Sequence, residues 1–84
     1  MFKYEFPAIF THDNDGISIE FPDLPGCLSC AYTTDEAIKM AKEVLELHLC
    51  GIKKDNDKIP KCTSIDNISL LKNQISMIIE VYIK

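Results

Sequence analysis

The sequence is 84 residues long, enough for one small domain with a core that is only just sufficient, so we expect self-association to add buried surface. Apolar residues make up 46% of it and charged residues 26%, as in a folded soluble protein, and no apolar run approaches the roughly 20 residues that a membrane-spanning helix needs. An acidic residue and a proline interrupt the start before any apolar stretch develops, which argues against a signal peptide and favours a cytoplasmic protein.

The net charge of the chain indicates which class of partner it suits. Nine basic residues against thirteen acidic ones give a net charge of −4. This balance argues against a domain whose main task is to neutralise nucleic-acid phosphates. A basic protein partner suits such a chain better.

The first half of the chain has the pattern of an antiparallel meander. Residues 2–11 alternate, which predicts a strand with Phe6, Ala8 and Phe10 on one side and Ile9 on the other. Asp15-Gly16 then predicts a hairpin turn, and the alternation of residues 17–21 predicts a second strand with Glu20 pointing outward.

The stretch Phe21-Pro22-Asp23-Leu24-Pro25-Gly26-Cys27 predicts an ordered turn. Its two prolines lack backbone donors and fix φ, and Gly26 can adopt a positive φ. A third strand is expected over residues 27–32, which completes the meander.

A capping box, Thr33-Thr34-Asp35-Glu36, predicts the start of a helix. In this motif the Thr33 hydroxyl accepts from the Glu36 amide and the Glu36 carboxylate accepts from the Thr33 amide. Apolar residues then recur at intervals of three and four, and Gly51 is placed to end the helix in the left-handed conformation. Residues 53–73 read as a polar loop with a short helical turn within 65–71.

Residues 74–83 alternate again and predict a fourth strand. The usual right-handed strand–helix–strand crossover would place it parallel to the first strand. The expected fold is therefore α+β, with elements β-β-β-α-β, strand order 3-2-1-4 and one helix packed on one face. Ile9, Ile78 and Tyr82 fall on the uncovered face, so they are the candidates for an oligomer interface.

Four cysteines raise the questions of disulfide, metal and redox chemistry. Without an export signal, reduced thiols are expected. Cys27 and Cys30 form a C-x-x-C motif, but Cys50 and Cys62 are isolated and do not supply the second ligand pair of a structural zinc site. A redox pair would sit at a helix N-terminus, whereas these two fall in a strand. We therefore expect neither a metal nor a cofactor.

Several motifs together resemble a known family. They are YEFPAIF at residues 4–10, the turn at 13–16, FPDLPGC at 21–27, TTDEA at 33–37, the Leu49-Cys50-Gly51 helix end and Ile59-Pro60. In order and spacing, over nearly the whole chain, they resemble the HicB-like antitoxin domain. The resemblance implies a partial RNase H-like fold and a non-enzymatic protein that binds and silences HicA, a small basic mRNA-cleaving toxin with a catalytic histidine.

Such an antitoxin would act by occlusion, because an acidic domain attracts a basic RNA-binding surface and mimics the displaced phosphates. We expect the contacts to come from outward and turn positions: Asp13, Asp15, Glu20, Asp23 and Tyr32. Gly26, Thr33 and Glu36 are assigned to structure. Many HicB antitoxins continue into a helix-turn-helix or ribbon-helix-helix that binds the promoter, but this sequence ends at Lys84, so no DNA binding is assigned to these residues.

Two other functions remain open. RNases H hold two metal ions between converging carboxylates, and Asp13, Asp15, Glu20 and Asp23 supply acids, but in turns or on an outward face. The chain could also be a stand-alone module that inhibits a different protein, because a fold does not fix its partner.

Overall fold

The computed structural model describes residues 2–83, in which three strands precede a long helix and a fourth strand follows it. The elements are β1 (Phe2–Asp13), β2 (Gly16–Glu20), β3 (Leu28–Ala31), α1 (Thr34–Lys54), a short 3₁₀ turn (Ile65–Asn67) and β4 (Gln74–Ile83). The sheet order is β3-β2-β1-β4, which confirms the predicted order and the predicted elements.

The direction of β4 differs from the prediction. β4 is antiparallel to β1, with Phe2 opposite Ile83 and Thr11 opposite Gln74. The crossover rule presupposes that β4 begins where α1 ends, near Phe2. Instead, residues 55–73 carry the chain back along the sheet to the β1–β2 hairpin, where the His12 amide donates to the Asn73 carbonyl at 2.9 Å. The chain thus crosses the sheet twice, and β4 runs the opposite way.

The core lies between α1 and one face of the sheet. Helix residues Ala37, Ala41, Leu45 and Leu49 are buried at intervals of four, and they pack in one cluster with alternate residues of the strands. Each buried leucine contributes about 1.5–3 kcal/mol.

The proline-rich turn is ordered as predicted and is anchored in the core. Phe21, Leu24 and Cys27 are each at most 2% exposed, while Pro22 and Pro25 face solvent. Backbone bonds close the turn, from the Leu24 amide to the Phe21 carbonyl and from the Cys27 amide to the Leu24 carbonyl, both at 3.0 Å. Gly26 has φ +85°, in the region that favours glycine. The turn is therefore a fixed part of the core rather than a mobile connector.

The helix ends differ from the prediction in two details. The Thr33 hydroxyl accepts from the Glu36 amide at 3.2 Å as predicted, but the Glu36 carboxylate accepts from the Tyr32 amide, at 3.1 Å, instead of Thr33. Gly51 does not end the helix. It lies within α1, which continues to Lys54, and Asn56 takes the left-handed conformation with φ 58°. Asparagine tolerates that region better than most residues, so it replaces the glycine in this role.

Replacing Gly16 tests the packing of the hairpin against β3. Gly16 has φ +137°, and a Cβ there would lie 2.7 Å from the Ala31 carbonyl oxygen. We expect Gly16→Ala to lower the free energy of unfolding by about 2–3 kcal/mol, measured by urea denaturation. Gly51→Ala is the matched control, because its Cβ would meet nothing within 4 Å in a helix. The control should be neutral or stabilising by up to about 1 kcal/mol, and equal losses in both variants would contradict this account.

Candidate functional site

Three of the predicted contact residues meet at one end of the sheet. Asp13 ends β1, Asp15 lies in the β1–β2 turn, and together with Tyr32, the residue after β3, they line one shallow groove. Tyr32 is 81% exposed, and its ring lies 3.5 Å from the position that a Cβ on Gly16 would occupy. An exposed tyrosine is thus held beside the hairpin carboxylates.

Sequence reasoning missed two further carboxylates at this end. Asp35 and Glu36 follow Tyr32 directly in the first turn of α1, and both are exposed. They were assigned only to helix capping, because the sequence does not reveal that the hairpin lies beside the helix start. We call Asp13, Asp15, Tyr32, Asp35 and Glu36 the acidic end.

The remaining predicted contacts lie elsewhere. Glu20 is exposed on the face of the sheet that the helix leaves open, opposite Ile9 on β1 and Leu28 on β3. Asp23 lies in the proline turn, where its carboxylate accepts from the Thr63 amide at 2.8 Å and from the Thr63 hydroxyl. Asp23 therefore fastens the long loop after α1 to the turn, a role that no local sequence pattern could reveal across 40 residues.

Removing the hydrogen bonds between Asp23 and Thr63 should make the loop of residues 55–73 more accessible to proteases. We expect Asp23→Ala to cost about 1–2 kcal/mol of unfolding free energy, because two donors lose a charged acceptor. Tryptic cleavage after Lys58 or Lys61 should become faster. Asp66→Ala is the control on the same loop, because no hydrogen bond of its side chain occurs among the described residues. An unchanged rate of cleavage in Asp23→Ala would contradict the claim that Asp23 fastens this loop to the proline-rich turn.

The three residues predicted for an oligomer interface share the open face but differ in exposure. Ile78 is 42% exposed and Tyr82 is 54% exposed, both on β4. Ile9 is only 8% exposed, because Glu20 and Ser76 flank it on the neighbouring strands. Ile9 therefore offers little surface, while β4 offers more.

The two cysteines of the C-x-x-C motif lie on opposite faces of the sheet. Cys27 is buried in the core, whereas Cys30 is exposed and lies opposite Ser18 on the open face. Among residues 2–83 all four cysteines are free, and no group of three or more potential ligands could hold a metal ion. Of the four acids proposed for a nuclease, only Asp13 and Asp15 share a groove, while Glu20 and Asp23 lie elsewhere, so the geometry does not favour the two-metal nuclease hypothesis.

Burial raises the pKa of the Cys27 thiol to about 11. In the unfolded chain the thiol has a pKa of about 8.5. Below that pH the thiol is neutral in both the folded and the unfolded state, and above it the thiol of the unfolded chain ionises first. Stability should therefore fall as the pH rises toward 11.

The reactivity of the four thiols tests whether Cys27 is buried. With a disulfide reagent at pH 8, we expect Cys30, Cys50 and Cys62, which are exposed, to react quickly, and Cys27 to react only as the protein unfolds. Cys27→Ala should remove the slow phase, and Cys30→Ser should remove one fast equivalent. Four equally fast thiols in the native protein would contradict the buried position of Cys27.

No helix among residues 2–83 has the length and apolar character needed to cross a membrane.

Two solved structures from toxin–antitoxin systems share this fold. A chain of a toxin–antitoxin complex from Streptococcus pneumoniae aligns over 96% of this chain and 70% of its own length, with a TM-score of 0.88 and 17% identity. The N-terminal domain of the Burkholderia pseudomallei antitoxin HicB aligns over 95% of this chain and 100% of its own, with a TM-score of 0.78 and 21% identity. The chain thus has the fold of an antitoxin domain.

Sequence comparison identifies the family. The model for the HicB-like antitoxin of bacterial toxin–antitoxin systems matches residues 6–83, and the chain belongs to this family. A 14.9 kDa protein of Haemophilus phage HP1 is 36% identical over 73% of this chain, and antitoxin HicB 2 of Photorhabdus laumondii is 34% identical over 66%. The aligned part makes up 46% of the length of the phage protein and 40% of the length of antitoxin HicB 2. A Thermoplasma acidophilum protein, 36% identical over 68% of this chain, is covered over 84% of its length.

Proposed function

We propose that this chain is an antitoxin that binds a HicA-type toxin and blocks its RNA-cleaving surface by occupying it. The observation that carries the proposal is the family match over residues 6–83. A likeness to a chain of a HicA3–HicB3 toxin–antitoxin complex, with a TM-score of 0.71, supports it. The chain would act by protein–protein contact rather than catalysis, in the cytoplasm, where mRNA is translated.

The acidic end is the surface that we propose for the toxin. Its four carboxylates would attract a basic RNA-binding surface, raise the association rate and replace the phosphates of the substrate. Tyr32, 81% exposed among them, has the character of a binding hot spot, since tyrosines supply large rigid contact area. Lys53 and Lys54 lie in the last turn of α1, at the end of the helix remote from Tyr32.

The test begins with the tagged chain, captured from its native lysate together with bound proteins. We expect a small basic protein that cleaves RNA only after this chain is removed. Co-purification of an unrelated protein without ribonuclease activity would contradict the antitoxin function and favour the inhibitor module with a different partner.

Variants of the captured pair then locate the surface. Tyr32→Ala should weaken toxin binding about 30-fold, as a hot-spot residue does, and Asp15→Asn should slow association and lower its salt dependence. Asp55→Asn, which removes an equal charge beyond the other end of α1, is the control and should bind normally. If the control weakened binding as much as Asp15→Asn, net charge rather than the acidic end would explain the attraction.

A further inference from the structure

Exposed apolar side chains lie on both sides of the β1–β2 hairpin. Tyr32 follows β3 on one side, as part of the acidic end. On the other side Leu71, just before β4, is 69% exposed, and Ile75 on β4 is 48% exposed. β3 and β4 are the outer strands of the sheet, so three strand spacings, about 14 Å, separate the two groups. The hairpin carboxylates lie between them.

An apolar cleft lies between the start of α1 and the start of β4. Ile75 lies opposite Phe10 of β1, a buried core residue, so its side chain points to the face that α1 covers. Ile38 of α1 and Met77 of β4, both half-buried, line the cleft with it, and so does Ile17 of β2. Because Ile75 is exposed here, this edge of the core is open to an incoming side chain.

The turn that leads into β4 holds this side of the cleft in place. The Leu71 amide donates to Oε1 of Gln74 at 2.8 Å, and the Gln74 amide donates to the Leu71 carbonyl at 3.1 Å. The Gln74 side chain also donates to the Thr11 hydroxyl at 3.0 Å, and Nδ2 of Asn73 donates to the His12 carbonyl at 3.1 Å. A partner that binds here therefore loses little free energy in ordering this segment.

The apolar cleft continues into the acidic end. Ile17 lines both the cleft and the groove of the hairpin carboxylates. Thr34, which also lines the cleft, directly precedes the two first-turn carboxylates of α1. Within the described residues no lysine lines the cleft or the groove. A complementary partner surface therefore carries an apolar side chain next to basic ones.

We propose that the apolar cleft receives an apolar side chain of the basic toxin, in addition to the contact that the toxin makes with Tyr32. This inference rests on the antitoxin function proposed above and adds the surface chemistry that the partner must have. The carboxylates speed the approach of any basic protein, whereas the cleft slows the release only of a partner whose apolar side chain fits it. The cleft therefore makes the chain specific for its own toxin among basic proteins.

A substitution that adds negative charge separates the cleft from simple charge attraction. Ile75→Glu adds a carboxylate beside the acidic end, so attraction by charge alone predicts tighter binding of the basic toxin. An apolar contact at Ile75 predicts the opposite: a dissociation rate about tenfold higher with an undiminished association rate, measured with the captured toxin on a biosensor surface. Leu47→Glu, at a 75% exposed site on α1 outside the cleft, is the matched control and should dissociate like the wild type. Unchanged or slower dissociation of Ile75→Glu, or equally fast dissociation of the control, would overturn the proposal.

Methyl NMR spectra of the wild-type chain test the same site without a substitution. With the isoleucine methyl groups labelled, we expect those of Ile38 and Ile75 to shift when the captured toxin is added. The methyl groups of Ile78, exposed on the open face, should not shift. Shifts at Ile78 with none at Ile38 or Ile75 would overturn this inference and leave the antitoxin function standing. Failure to capture any basic ribonuclease would overturn both.

Discussion

The packing of α1 on one face of the sheet is the constraint on which the rest of this structure depends. The buried stripe of alanines and leucines on α1 packs against the apolar residues that all four strands present on that face. One helix covers one side, so the opposite face and the β4 edge have no covering element within residues 2–83. The features open to partners are therefore consequences of how little the core of a small domain can cover.

The same packing sets the charge distribution along the molecule. α1 begins beside the β1–β2 hairpin, and its first-turn carboxylates join those of the turn. It ends near Phe2, where the Lys53 ammonium lies 4.8 Å from the centre of the aromatic ring. Acids at a helix N-terminus and lysines at its C-terminus also complement the helix dipole. A local rule for helix stability thus adds two carboxylates to the acidic end, the surface that we propose for the toxin.

Much of the fold could be predicted because its determinants are local. Alternation predicted the strands, the Thr33 capping box predicted the helix start, and the two prolines with Gly26 predicted the ordered turn. The direction of β4 could not be predicted, because it depends on where a long polar loop returns, which is fixed by the contacts of Asn73 and Thr63 with distant residues. For the same reason the sequence could not reveal that Asp23 fastens the long loop, or that Asp35 and Glu36 lie at the same end of the sheet as Asp13 and Asp15.

Stoichiometric inhibition is the most direct test of the central claim that the chain silences a toxin by occupying its RNA-cleaving surface. The chain would be titrated into an RNA-cleavage assay of its co-purified toxin, with toxin well above the dissociation constant. Occlusion predicts a linear loss of activity that is complete at about one chain per toxin. Complete inhibition by far less than one equivalent, or persistent cleavage by the saturated complex, would contradict it.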